Sequence, residues 1–462
     1  DLRSALLRGR VDIGELSAAL IEIPRLPATG EEEAQPRAEA RSFNLPELPV
    51  GINIEKIAAP RVVLGSPVIG EDAEISVAGS MSLEGGEGTA DVVINRTDGK
   101  KGDFVFKGSF DNSSRMLNID LTLDEDPNGI FSRVAQIEGR PAVTAEIKGE
   151  GPLDEFSGTI KVATDGVDRI TGALVLNGAE GPDGSEGNSF DLQIGGDLAT
   201  LLPPENREFF GNSTQIVAKG WRGDTGRLEV ESLSFDTDAL KIDGKLATND
   251  QNAPQMLDLV VDFGQQAGAQ TLPVTIPFMD PPITVLSGNL AIGYDATQGS
   301  GWSLKGWLTE IDRDATRLGR LDLDGQGQVT LTEGGALQQI AGSLGFNAGG
   351  IQLVSERLQK VIGDNIGGTT RFDFTPGQVV ALSEMQISGK DYGLDGRLTI
   401  DGLTSGIVLS TDQLIATHDD LSNLSELAGR SLSGRAQADL AGYYQVLSGA
   451  YDVEGTVTGT DL

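Results

Sequence analysis

Cysteine is absent from the 462 residues, and histidine occurs once, at His418. Those two shortages exclude disulfides, thiolate nucleophiles and cysteine-based zinc sites, and reduce imidazole chemistry to a single side chain. Aromatic residues make up 5 % and hydrophobic residues 38 %, below the usual globular share of about 45–50 %. Cations are scarce as well: 35 Lys and Arg face 69 Asp and Glu, a net charge of −34. A nucleic-acid backbone is therefore excluded as the main partner, because phosphate recognition needs clustered cations. The longest uncharged window, Phe263 to Met279, is interrupted by Gly, Gln and two prolines, so no segment has the run of about 18 apolar residues that a spanning helix needs. The lack of thiols suits an oxidising compartment. The chain opens on Asp1 without a Met or a basic, apolar leader, so it reads as a processed protein or an internal piece whose anchor lies upstream.

What is abundant is glycine, 62 residues, set within strict period-2 alternation, the mark of strands with one buried and one wet face. Leu117, Ile119, Leu121 and Leu123 alternate with Asn118, Asp120 and Thr122, and Leu257, Leu259 and Val261 lead to Phe263 past Asp258 and Asp262. Phe104 and Phe106, Ile340 and Leu344, and Leu394 and Leu398 belong to further alternating runs. These thirteen residues, Leu117 to Leu123, Leu257 to Val261 and the three pairs, are the candidate lining of an apolar face. The alternation favours antiparallel sheet. A pattern of apolar, any, Gly, any, apolar recurs, as at Phe106 to Phe110, Leu304 to Leu308 and Leu394 to Leu398. Parity puts its glycine on the apolar face, where a strand glycine marks a bend or a close approach. A strongly curved sheet with an apolar concave trough is one reading; relief of crowding in a closed barrel or sandwich is the other.

The expected fold class is all-β: an elongated, curved antiparallel groove with a few short helices. Helices are predicted over Gly129 to Glu138, Pro204 to Phe210, Ser355 to Ile362 and Leu421 to Ala428, each closed by a glycine suited to the left-handed C-terminal position. Those glycines recur at intervals compatible with a unit of roughly 70 to 75 residues, one member being degenerate. Residues 1–27 read as an N-terminal strand segment, 28–49 as an acidic, Pro- and Ala-rich linker, and 50–462 as a continuous array.

Chemistry is thin. The Gly-x-Gly starts at Gly86, Gly149, Gly299 and Gly325 lack the third glycine of a dinucleotide fingerprint. Gly85 to Asp91 approaches a calcium-binding repeat but carries Ala90 at the ligand position and does not recur. His418 beside Asp419 and Asp420 has no nucleophile tied to it. Carboxylate pairs such as Asp124 with Asp126 or Asp322 with Asp324 could in principle serve a glycosidase, yet such neighbours are inevitable among 69 acids. No enzyme activity, cofactor or metal is expected. The acidity reads as a solvated outer face.

The order of features resembles the TamB family of bacterial envelope proteins, related to AsmA-like proteins. The elements are L-P-E-L-P-V at Leu45 to Val50, N-R-T-D-G at Asn95 to Gly99, the Gly129 to Glu138 helix closed by G-R-P, and G-E-G-P-L-D-E-F-S-G at Gly149 to Gly158. L-A-G-R-S-L-S-G-R-A at Leu427 to Ala436, followed by Leu447 to Leu462, is similar too. The family's membrane anchor and its terminal docking domain have no counterpart in these residues. The resemblance implies a taco-like sheet in the periplasm that carries phospholipid acyl chains between inner and outer membranes. It implies an inner-membrane anchor upstream and an outer-membrane barrel partner of the TamA type, engaged outside this chain. The alternative it carries is a scaffold or chaperone for outer-membrane protein assembly.

Overall fold

The computed structural model describes residues 9–25, 44–267, 270–277, 279, 281–314, 316–402, 407–446 and 448–460. Most of the anticipated linker, residues 28–43, lies outside them. The chain divides into two compact units, Asp1–Asp238 and Ala239–Leu462. Each is built from strands hydrogen-bonded to their sequence neighbours, in an open, mostly antiparallel sheet that does not close into a barrel. The expected all-β class holds.

Local sequence explains the meander. Gly85 and Gly86 both have positive φ, 60° and 81°, and join Ala73–Glu84 to Glu87–Arg96. Asp165 and Gly166, at 50° and 77°, do the same between Glu155–Thr164 and Val167–Glu180. Two-residue turns of this hand match the twist of the strands they connect, so the supposed calcium motif at Gly85 to Asp91 is a hairpin turn followed by a strand.

Helices form at Ser66–Ile69, Ile130–Val134, Pro204–Phe210, Glu356–Ile362 and Ser425–Ala428, the last preceded by a 3-10 turn at Leu421–Leu424. Four fall where predicted, the second shortened to its middle. Ser66–Ile69 was not foreseen, since only four residues separate its Gly65 and Gly70 caps. It is closed by Gly70, 69 residues before Gly139 (139 − 70), and so extends the anticipated period by one member. The degenerate member is the stretch between Pro254–Phe263 and Ser287–Asp295, where short strands such as Val274–Ile276 and Ile283–Val285 stand in for a helix. Between successive inserts run four long strands, for example Ala73–Glu84, Glu87–Arg96, Gly102–Asp111 and Met116–Glu125. Four antiparallel strands return the chain to the side from which it started, so within each unit the inserts share one rim of the sheet and tight turns form the other.

The N-terminal strand segment is built into a sheet edge rather than standing apart. Arg10–Ile13, Leu16–Ser17 and Ile21–Ile23 pair in parallel with Gly51–Leu64, an exception to the antiparallel expectation. Gly51–Leu64 carries Pro60 and two register shifts.

Candidate functional site

In the first unit the cross-strand register carries an unbroken apolar row over ten strands. Gly79 faces Val92, and partners continue through Phe106, Leu121, Ile147, Ile160, Gly172, Ile194 and Ile216 to Phe235. The second unit repeats this from Ile242 through Val261, Leu290, Gly306, Leu323, Phe346, Gly368, Ile387, Leu394, Ala416 and Ala438 to Val457. Neither row contains a polar side chain. The opposite face of the first unit runs Ser80, Asp91, Lys107, Asp120, Lys148 and Thr159, charges of alternating sign that favour one another across strands.

All thirteen predicted lining residues are half-buried, and none is fully buried. Leu117, Ile119, Leu121 and Leu123 share a face with Phe104 and Phe106, and Leu257, Leu259 and Val261 with Ile292 and Leu290. Ile340 and Leu344 lie on the face of Val329 and Gly325, and Leu394 and Leu398 on that of Ile387 and Leu382. Leu344 meets one polar neighbour, Thr370, beside a register shift. In a closed two-layer core such residues would be covered by a facing sheet; here the apolar middles of the strands keep part of their surface.

The fully buried residues sit instead at strand ends. On the helix rim Val143 and Ser132 have no exposure and Thr164 has 1 %. On the turn rim Phe110, Phe156 and Trp221 are buried, the indole of Trp221 donating to the Ala179 carbonyl at 2.9 Å. Arg96, its side chain 1 % exposed, anchors the helix rim through Glu71 at 2.7 Å and Asp98 at 2.8 Å. Glu71 also holds Lys100 and Arg133 at 2.9 and 2.8 Å. Although desolvated, the Glu71 carboxyl is kept below its ordinary range by Arg96, Lys100 and Arg133. Glu125, buried nearby, accepts from the backbone N–H groups of Phe131 and Ile130 at 2.8 and 3.2 Å. Burial pushes its pKa up despite those bonds.

The inner glycines have a specific use. A Cβ on Gly149 would come within 2.4 Å of the Phe156 ring, and one on Gly342 within 2.6 Å of Trp302. The rings therefore lie flat along the sheet, over positions without side chains, and do not rise from it. Leu45 is docked in the same way: its side chain occupies the space a Cβ on Gly88 would need. Its backbone is clamped by Asn112, which accepts from Leu45 N–H at 2.8 Å and donates to its carbonyl at 2.9 Å. Leu45 thus already covers part of this face.

The first unit is also tightly rolled. Arg115, just before Met116–Glu125, pairs with Asp224, just after Thr214–Gly223, at 3.0 Å. A flat sheet would hold strands five spacings apart at about 24 Å. In the second unit the Asn249 amide donates to the Gly335 carbonyl at 2.8 Å, between turns that are likewise separated by several strands. Sequence reasoning missed these ties, because neither partner's neighbourhood signals the other.

The other candidates disperse. Asp124 pairs with Lys101 and Asp322 with Arg320 on exposed positions. His Nδ1 of His418 accepts from Asp420 N–H at 3.3 Å while its ring stacks on Tyr392. Among the described residues no group of His, Asp and Glu could hold a metal, and no helix is long and apolar enough to cross a membrane. No protein-family model, curated protein or solved structure matches this chain.

Proposed function

We propose that the chain is part of a TamB-like periplasmic conduit and that phospholipid acyl chains travel on its apolar face between inner and outer membranes. The observation that carries this reading is the pair of apolar rows, free of polar side chains and half-buried rather than sealed along their length. Acyl tails laid on Leu121, Ile147 and Ile160 would remove that surface from water, worth about 25 cal/mol per Å². Head groups would remain in solvent, which avoids the cost of burying charge. An acidic outer face does not retain anionic head groups and so suits passage. The conduit needs no catalytic residue or cofactor; the upstream anchor and the TamA-type barrel partner belong to the same proposal.

In the full-length protein, a photoreactive residue at Ile119 should cross-link phospholipid in the cell envelope, and one at Asp120, on the opposite face, should not. Mass spectrometry of the purified chain should recover more than one lipid per molecule. Equal cross-linking at both positions, or a lipid-free protein, would sink the proposal.

A further inference from the structure

Two ion pairs of the first unit join residues that the strand order keeps several strands apart. On the turn rim is Arg115 with Asp224, at 3.0 Å. On the helix rim Arg207, within Pro204–Phe210, meets Glu138, in the loop before Val143–Pro152, at 2.5 Å. Arg115 and Asp224 flank the run Met116 to Gly223, and Glu138 and Arg207 flank the shorter run Val143 to Gly196 within it; these strands present Leu121, Ile147, Ile160 and Ile194 on one face. Neither pair is buried: side-chain exposure is 29 % and 42 % in the first, 31 % and 60 % in the second. Exposed pairs hold weakly and are screened by salt, which fits a contact that opens more readily than a packed core.

Arg115 carries a second sign of purpose. Its φ is +53°, a conformation that favours glycine and that few other residues adopt. Its carbonyl accepts from Leu153 N–H at 3.0 Å, fixing the backbone there. An arginine is thus kept where glycine would be less strained, and its guanidinium reaches Asp224.

We propose that Arg115–Asp224 and Glu138–Arg207 are two clasps across the mouth of the first unit, and that their release admits an acyl chain from the side. The inference rests on the conduit reading, whose ligand it adopts, and adds the point and control of entry. Closed clasps narrow the mouth; open clasps let the roll relax, since no strand-to-strand hydrogen bond spans the gap.

The absence of cysteine makes the test direct. Spin labels on Ser114→Cys and Thr225→Cys, beside the first clasp, report its width, while loading is followed by transfer of an acyl-fluorescent lipid from vesicles of phosphatidylethanolamine and phosphatidylglycerol. Raising salt from about 50 to about 500 mM should add a longer label distance and speed loading about two- to fivefold, the scale of a lost exposed pair. Arg115→Gly should do the same at low salt without lowering the melting temperature, and should blunt the salt response. Joining Arg115→Cys to Asp224→Cys with a short bis-maleimide should slow loading about tenfold or more while preloaded lipid stays bound. Unchanged loading after joining, in a protein that does load, would overturn the clasp and leave the conduit standing. If no lipid loads at all, the conduit reading fails, and the label distances decide the clasp: one narrow distance, indifferent to salt and to Arg115→Gly, would end it.

Discussion

The strand ends and the strand middles of this protein are held by different means. At the helix rim, Val143, Ser132 and Thr164 are sealed from solvent and Arg96 is wrapped by Glu71 and Asp98. In strand middles, Leu121, Ile147 and Ile160 are only half-buried. The contrast teaches that cohesion is concentrated where the inserts pack, so that the apolar middles are left with surface to offer. A protein with 38 % hydrophobic residues has little to bury, and spends it at the rims.

The sharpest way to break the comparison is to remove the rim's charge anchor. Arg96→Ala should leave Glu71 and Asp98 without their buried partner and destabilise the first unit by about 3–5 kcal/mol, read by urea denaturation. Next, Val143→Ala should cost about 2 kcal/mol through a cavity that cannot collapse. Leu121→Ala, deleting more atoms from a half-open site, should cost no more than about 1–2 kcal/mol. If Leu121→Ala proves the costlier, the middles are an ordinary core and the comparison is wrong. Leu121→Asp should cost several kcal/mol in lipid affinity, its charge lying in the path of acyl tails, with a smaller effect on folding because the carboxylate can reach water; Thr122→Asp, on the other face, should do neither.

The smallest expected effect concerns pH. Burial raises the Glu125 pKa above its ordinary 4.5, so the folded protein binds a proton that the unfolded chain has lost. That contribution is complete below about pH 4.5 and disappears as pH rises through the folded-state value. Asp98 acts in reverse: hydrogen bonds from Arg96 lower its pKa, and its contribution is lost as pH falls through that lowered value. Glu125→Gln should therefore flatten the decline in stability on the alkaline side of pH 4.5 and leave the acid limb in place, as followed by melting temperature against pH.

Much of the fold was legible because its rule is local. Alternation at Leu117 to Leu123 specifies a strand and its faces, and Gly211, Gly363 and Gly429 mark helix ends. Parity alone places Gly149 and Gly342 on the inner face. What parity cannot say is what lies over them, since Phe156 and Trp302 arrive from other strands. The docking of Leu45 on Gly88 and the Arg115–Asp224 pair depend on register and roll accumulated over several strands, and no window of sequence contains both partners. The helix Ser66–Ile69 escaped notice because a single turn between two glycines has no periodicity to detect.

The four-strand interval between inserts has a consequence for how such a chain can change in length. An insertion or loss of one interval, roughly 70 residues, would add or remove about 19 Å of sheet and return the chain to the same side. An odd number of strands would instead deliver the next insert to the opposite rim, whereas the face a residue takes is set by its register and is untouched by the number of strands. Any even number of strands thus keeps the inserts on one rim, but only a whole interval also keeps their spacing, so that span is graduated as on a ruler.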